Sequence, residues 1–348
     1  MSRRALTLMV AGFLVLALGV TGALMKVPYV VLSPGPTENT LGDHDKKPVI
    51  TITGHETFPT SGALRLVTVA YKGGPDSRID LMTALRGWVD PTVAVVPEET
   101  IFPKSQTQEQ VEEQNTAEMT NSQDSATAAA LSELKIPFGS VVTVVSASKG
   151  MPAEGKLQKG DEINSVDGKP VPDVESVAQT VKSHKPGDEL IFNITRAGTK
   201  QDVAVKTVAG PAGKSMVGVT MQAKYKFPFT VNISVGDVGG PSAGLMFSLG
   251  IVDKLTPGEI TGGKSIAGTG TITPEGQVGP IGGIAQKMVG ARDAGATVFL
   301  TPADNCAEAV KAVPSGLRLV KADTLHDAVS ALDALRTGKG AVPNCPSS

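Results

Sequence analysis

Apolar and polar positions alternate along this chain in successive patterns, and each pattern predicts a different kind of structure. From Ala5 to Met25 no charge interrupts an apolar run that follows Arg3 and Arg4. At ~1.5 Å rise per residue such a run crosses a ~30 Å hydrocarbon layer as one helix. It is longer than the apolar core of a signal peptide, and no small-residue cleavage pattern follows Leu24. Residues 1–26 therefore read as an uncleaved transmembrane anchor. The arginines hold its N-terminus in the cytoplasm. Residues 27–348 are then expected outside the cytoplasm, on a single-pass protein of the cell membrane.

Residues 27–134 read as a β-rich and then helical region. "PVITITG" alternates apolar with polar, "GALRLVTVAYKGG" is a strand bounded by glycines, and "VLSPGPTENTLG" is a Pro/Gly/Asn loop. Residues 104–134, rich in Gln, Glu and Ala without Pro or Gly, suit helix with a polar surface, as a connecting helix pair. From 135 to 209 short strands surround a single helix, "DVESVAQTVKSH", whose Val174, Val177, Ala178 and Val181 share one face. From 210 to 340 strands and helices alternate: "FTVNISV", helix 242–254, "KSIAGTGTI", helix 284–294, "TVFL", helix 304–312, "LRLV", helix 324–335. That alternation implies an α/β (α+β) domain, to whose sheet the "GALRLVTV" strand is a candidate addition; residues 341–348 form a tail.

Composition narrows the function. With 348 residues and a formal net charge of −2, and with no basic or aromatic-rich stripe, no nucleic-acid partner is expected. Nothing has zinc-ligand spacing, so no metal and no other cofactor is expected. The only cysteines, Cys306 and Cys345, suit a disulfide in an oxidising compartment; two unrelated thiols are the alternative, since pairing requires Cα atoms within ~7 Å.

Two stretches suggest chemistry. "GEITGGKS", residues 258–265, satisfies the phosphate-loop spacing but follows a helix end and precedes β-branched residues and glycines. A phosphate site there needs a strand before and a helix after, so nucleotide binding is not expected. The histidines, His44, His55, His184 and His326, are scattered and read as surface residues. "GDVGGPSAGLMFSLG", residues 236–250, instead presents Ser242 where a glycine-rich turn opens an apolar helix. A serine needs a base, and a lysine can serve only when neutral. In "GPIGGIAQKMVGARDAG", Lys287 lies in the first turns of a helix, beside an apolar face of Ile284, Met288 and Ala291. Desolvation and the positive helix end both depress its pKa there.

Two resemblances add to this reading. Residues 136–208 resemble a bacterial PDZ domain, on Pro152-Ala153, Leu157, Gly160-Asp161, Asp167-Gly168, Pro186-Gly187 and Arg196. The resemblance implies that an extended peptide adds as a strand to an open sheet edge. It also places Ile136, Pro137, Phe138 and Gly139 where the family's carboxylate-binding loop lies; an ordinary Pro-Phe-Gly turn is the alternative. Residues 211–338 resemble the proteolytic domain of the Lon proteases, through G-P-S-A-G at Gly240 to Gly244 and "TGTITPEGQVGPIGGIAQK" from Thr269 to Lys287.

The Lon resemblance implies Ser242 as nucleophile and Lys287 as base, with Thr269 hydrogen-bonding the lysine and Gly240 and Pro241 shaping the serine turn. Where the family often carries an acidic residue before G-P-S-A-G, this chain has Gly239, with Asp237 two positions earlier. With the anchor, the chain resembles the membrane-anchored, PDZ-containing Lon-like serine peptidases of bacteria, the YlbL-like group. The implied function is ATP-independent cleavage of unfolded or exported polypeptides by a homo-oligomer, a trimer or hexamer. The rival reading is an inert membrane-anchored PDZ scaffold that binds exported proteins.

Overall fold

The computed structural model describes residues 3–346; Met1 and Ser2 of the anchor segment and Ser347 and Ser348 of the tail lie outside the described residues. Its helices are α1 (Arg3–Leu24), α2 (Leu81–Val89), α3 (Glu98–Ile101), α4 (Gln108–Glu133), α5 (Val174–Ser183), α6 (Gly244–Leu255), α7 (Ile284–Asp293), α8 (Cys306–Ala312) and α9 (Leu325–Thr337). The chain divides into two compact units, Met1–Ile136 with Phe229–Ser348, and Pro137–Pro228.

The first unit is built on a mixed sheet. Its strands run in the order Arg318–Ala322, Val298–Pro302, Ser265–Gly268, Ala63–Lys72, Tyr29–Asn39 and Ala94–Pro97. The first four are parallel and the last two pair antiparallel. The glycine-bounded strand at 63–72 thus stands centrally, joining sequence from both sides of the second unit into one sheet. The Pro/Gly/Asn segment at 31–42, read above as a loop, is mostly strand. The Ala94–Pro97 strand pairs only with residues 29–32, leaving one side of Pro34 and Pro36 unpaired, so their missing N–H groups break no ladder. A register shift between Pro34 and Thr37 absorbs the rest.

Helices α7 and α6 cover opposite faces of this sheet. Val67 and Ala267 cluster with Ile284, Met288 and Ala291 of α7, while Gly268, the next residue and hence on the other face, meets Met246 of α6. Helix α6 is buried from Gly244 to Asp253, as a helix apolar all round must be. Residues 104–134, expected as a polar helix pair, form a single long helix. A capping box at Thr107 and Gln110 starts α4, and with no Pro or Gly inside it nothing stops it. Its second half, Ala126 to Leu131, is buried rather than solvated because those small residues let α6 come close. Cys306 and Cys345 form a disulfide, Cα to Cα 5.2 Å, which ties the tail to α8.

The second unit is a sheet in the order Thr199–Lys206, Glu189–Arg196, Glu162–Val166, Gly139–Ala147 and Val219–Lys226. Its core joins Val142, Leu157, Ile163, Phe192 and Ile194 to Val177 and Val181 of α5. Asp161 and Arg196 lock a turn through a two-pronged ion pair at 2.7 Å. Burial pushes the Asp161 carboxyl up, but the guanidinium and the Gln158 N–H outweigh it and hold it below its ordinary value.

Candidate active site

Ser242 and Lys287 meet at the carboxyl end of the short Ser265–Gly268 strand, and each is placed by local backbone necessity. The chain enters α6 through Gly240, whose φ of +84° an L side chain rarely adopts. Its N–H is held by the Asn115 carbonyl at 2.9 Å. At Gly244 a β-carbon would stand 2.8 Å from Ile272 Cγ2 and 3.1 Å from its backbone nitrogen, so only glycine lets the helix start this near the next turn. The Ser242 carbonyl accepts from the Gly270 N–H at 2.9 Å and from the Thr269 hydroxyl at 3.0 Å. Those bonds fix the serine against the strand end.

Lys287 comes from the first turn of α7, its N–H bonded to the Gly283 carbonyl. Its Nζ lies 2.8 Å from Ser242 Oγ and 3.0 Å from Thr269 Oγ1. The residue is 3% exposed, and burial lowers its amine from the ordinary 10.5 to about 8. A hydroxyl has one hydrogen to give. Thr269 gives its hydrogen to the Ser242 carbonyl, so toward Lys287 it can only accept. That arrangement turns an amine N–H toward Thr269 and leaves the nitrogen lone pair free to face Ser242 Oγ. Both neighbours are uncharged, so neither restores the amine's affinity for a proton. Ser242 is half-buried and opens into a cleft of about 1420 Å³.

The walls of this cleft include groups the sequence pattern did not single out. Helix α4 grips the serine turn: Ser122 Oγ donates to the Pro241 carbonyl at 3.0 Å, and Ser248 of α6 donates to the Ala126 carbonyl at 3.1 Å. The only signal for this was the "ATAAAL" run, which breaks the polar pattern of α4. His44, read as a surface turn residue, lines the cleft and pairs with Glu38 at 3.2 Å. Asp237 lines it as well. The phosphate-loop-like segment opens the Ser265–Gly268 strand, not a helix, and Lys264 Nζ donates to the Leu335 carbonyl at 2.8 Å. Among the described residues no cluster of three or more His, Cys, Asp or Glu is placed to hold a metal.

The four residues of the expected carboxylate-binding loop part company, Ile136 ending one stretch of the first unit and Pro137 opening the second unit. The Ile136 N–H continues the end of α4 by bonding the Leu131 carbonyl. Phe138 packs against Tyr225 and Phe227, ring centres 5.7 and 5.5 Å away, and Gly139 starts the Gly139–Ala147 strand. The edge beside that strand, expected open to a peptide, is taken by the chain itself. Val219–Lys226 pairs antiparallel along it from Ala147 to Gly139, with Val219 and Met221 against the core. A peptide adding here has to displace that strand.

Residues 215–333 match the family model of the Lon protease (S16) C-terminal proteolytic domain, and residues 111–207 match that of the PDZ domain. The chain thus joins a PDZ domain to a Lon-type proteolytic domain. Among curated relatives, Lon protease 1 of Bacillus subtilis (strain 168) is 32% identical over 104 residues, covering 29% of this chain and 13% of that protein. Lon protease 1 of Sorangium cellulosum (strain So ce56) is 39% identical over 126 residues, 35% of this chain and 15% of that protein. The chain therefore spans only about an eighth to a seventh of the length of these relatives. Among solved structures, the PDZ domain of an SdrC-like protein from Listeria innocua aligns at 24% identity, with a TM-score of 0.22, over 23% of this chain and 92% of that one.

Proposed function

We propose that this protein is a serine endopeptidase that uses Ser242 and Lys287 as a nucleophile–base pair, works without ATP, and cleaves unfolded or exported polypeptides. The observation that carries the proposal is a buried amine, lowered to about 8, at 2.8 Å from the hydroxyl of a half-buried serine. In the neutral form Lys287 Nζ takes the Ser242 proton as Oγ bonds to the substrate carbonyl carbon. The oxyanion forms next to the Ser242 N–H at the start of α6, whose dipole favours negative charge. The Gly240 N–H is committed to Asn115 and supplies no oxyanion contact. The lysinium then protonates the leaving amine as the C–N bond breaks. Water attacks the ester with Lys287 again accepting a proton, and Ser242 is restored. Thr269 holds the amine in orientation throughout.

Independence from ATP is favoured by the "GEITGGKS" segment, whose lysine is engaged with a backbone carbonyl at the start of a strand. A membrane location is favoured by α1, which is long and apolar enough to cross a bilayer and is almost wholly exposed; it leaves the catalytic unit extracytoplasmic if the arginines stay inside. The PDZ unit would recruit or restrain substrate, and its self-paired strand favours restraint. Assembly into a trimer or hexamer belongs to the same reading and is read by light scattering in detergent. The test of the function is hydrolysis of unfolded casein by the full chain in micelles, without nucleotide. Loss of cleavage in both Ser242→Ala and Lys287→Ala is expected. Unchanged cleavage in either variant overturns the pair, and no cleavage by the parent protein favours the inert scaffold.

A further inference from the structure

Helix α2 carries an apolar face that the described residues leave largely exposed. Its back is close-packed: Ala84 is buried with Val27 and Ile79, and at Gly87 a β-carbon would stand 2.6 Å from Val95 Cγ2. The front is exposed, with Met82 at 37%, Leu85 at 42% and Val89 at 82%. At ~100° per residue these three lie within one stripe about 60° wide, with Arg86 at one margin and Trp88 at the other. Trp88 is 53% exposed and is braced edge-on by Tyr29. A soluble surface rarely gathers large apolar side chains into one stripe with a tryptophan beside it.

The position of α2 says what covers this stripe. The helix begins where α1 ends: the Leu81 N–H bonds the Met25 carbonyl at 3.0 Å, Lys26 bridges to Asp80, and at Gly22 of α1 a β-carbon would stand 3.6 Å from Met82 Sδ. Leu24 and Met25, exposed at the end of α1, extend the same apolar surface. If α1 spans a bilayer, α2 lies at the depth where the headgroups begin. Tryptophan and arginine favour that layer, the one with an amphipathic ring, the other by reaching its charge out to water. Amphipathic helices bury an apolar face there by ~5–10 Å.

We propose that α2 is an interfacial helix whose Met82–Leu85–Val89 face, flanked by Trp88 and Arg86, rests in the outer layer of the bilayer that α1 crosses. This rests on the reading of α1 as a membrane span. The helix would give the catalytic unit a second, non-covalent footing and so set its tilt to the surface. A lipid surface is the partner that the structure favours, since the stripe continues from α1. A second copy of the chain is the alternative occupant.

Trp88 is the only tryptophan in the sequence, so its fluorescence reports on this face alone. The full chain is reconstituted into phosphatidylcholine vesicles, with and without bromine on the upper part of the acyl chains. Flotation of the protein with the vesicles tests α1 separately; a protein that stays in the aqueous fraction overturns the span and this proposal with it. In the floated protein, Trp88 is expected to lose most of its emission to the brominated lipid and to be shielded from aqueous acrylamide. The double variant Leu85→Glu/Val89→Glu, at exposed positions, is expected to float equally and to lose that quenching. Emission untouched by bromine but open to acrylamide overturns the proposal. Shielding from both quenchers also overturns it, in favour of a face buried by a second copy, and so does quenching that the double variant leaves intact.

Discussion

Replacing Lys287 with methionine should end peptide hydrolysis and, below pH 8, make the fold more stable. The amine is 3% exposed, and burial draws it from the ordinary 10.5 to about 8. The folded state therefore binds this proton less well than the unfolded chain. Folding is opposed in full below about 8, and the opposition fades as pH rises toward 10.5. The gap corresponds to ~3 kcal/mol. Methionine has similar length and no charge, but it forgoes the bonds to Ser242 and Thr269, at ~1 kcal/mol each. The expected net gain is ~1–3 kcal/mol near pH 6.5, or roughly 2–10 °C in Tm for a unit of this size. Near pH 10.5 the gain should vanish or turn into a small loss. Thermal unfolding followed by circular dichroism at both pH values, parent against variant, measures this, because other lysines cancel in the difference. A variant less stable than the parent by the same amount at both pH values would refute the reasoning, since the amine would then carry no penalty for its charge.

Three further outcomes follow from the same geometry. Hydrolysis of a short chromogenic peptide, as kcat/KM, should rise about tenfold per pH unit up to about 8 and level off above it; full activity at pH 6 would mean that another group accepts the serine proton. Thr269→Val keeps the shape but removes both the acceptor for Lys287 and a donor to the Ser242 carbonyl. It should lower kcat/KM roughly tenfold or more, at ~1–3 kcal/mol for a buried group left unpaired, with the loss in kcat rather than KM. Met221→Lys, on the inward side of the Val219–Lys226 strand, should loosen that strand and strengthen binding of an unstructured fluorescent peptide by the full chain; unchanged anisotropy would show that peptides do not use this edge.

The elements that carry the site were legible because each has a local cause. The Gly240-Pro241-Ser242 turn, the helix beginning after Gly283 and the apolar α6 are all written in residues a few positions apart. What was not legible depends on packing between distant segments. Nothing near Pro34 and Pro36 says that a neighbouring strand stops at residue 32; without that, two prolines read as a loop. The polar surface of α4 hid its role, because Ser122 and Asn115 serve the serine turn from more than a hundred residues away. His44 reaches the cleft only through the fold of the N-terminal segment, and periodicity carries no information on that. The strand at 219–226 alternates polar with apolar, yet it was not read as a strand, and nothing in its sequence names its partner. Pairing is chosen by which edge stands open nearby, a property of the assembled sheet.

The most direct test of the central claim is covalent labelling of the serine. The full chain is treated with a fluorophosphonate in the absence of nucleotide and its peptides are weighed by mass spectrometry. One adduct is expected, on Ser242, forming faster as pH rises through about 8 and hardly at all in Lys287→Met. Labelling that proceeds equally well in Lys287→Met, or that falls on another residue, would contradict the claim.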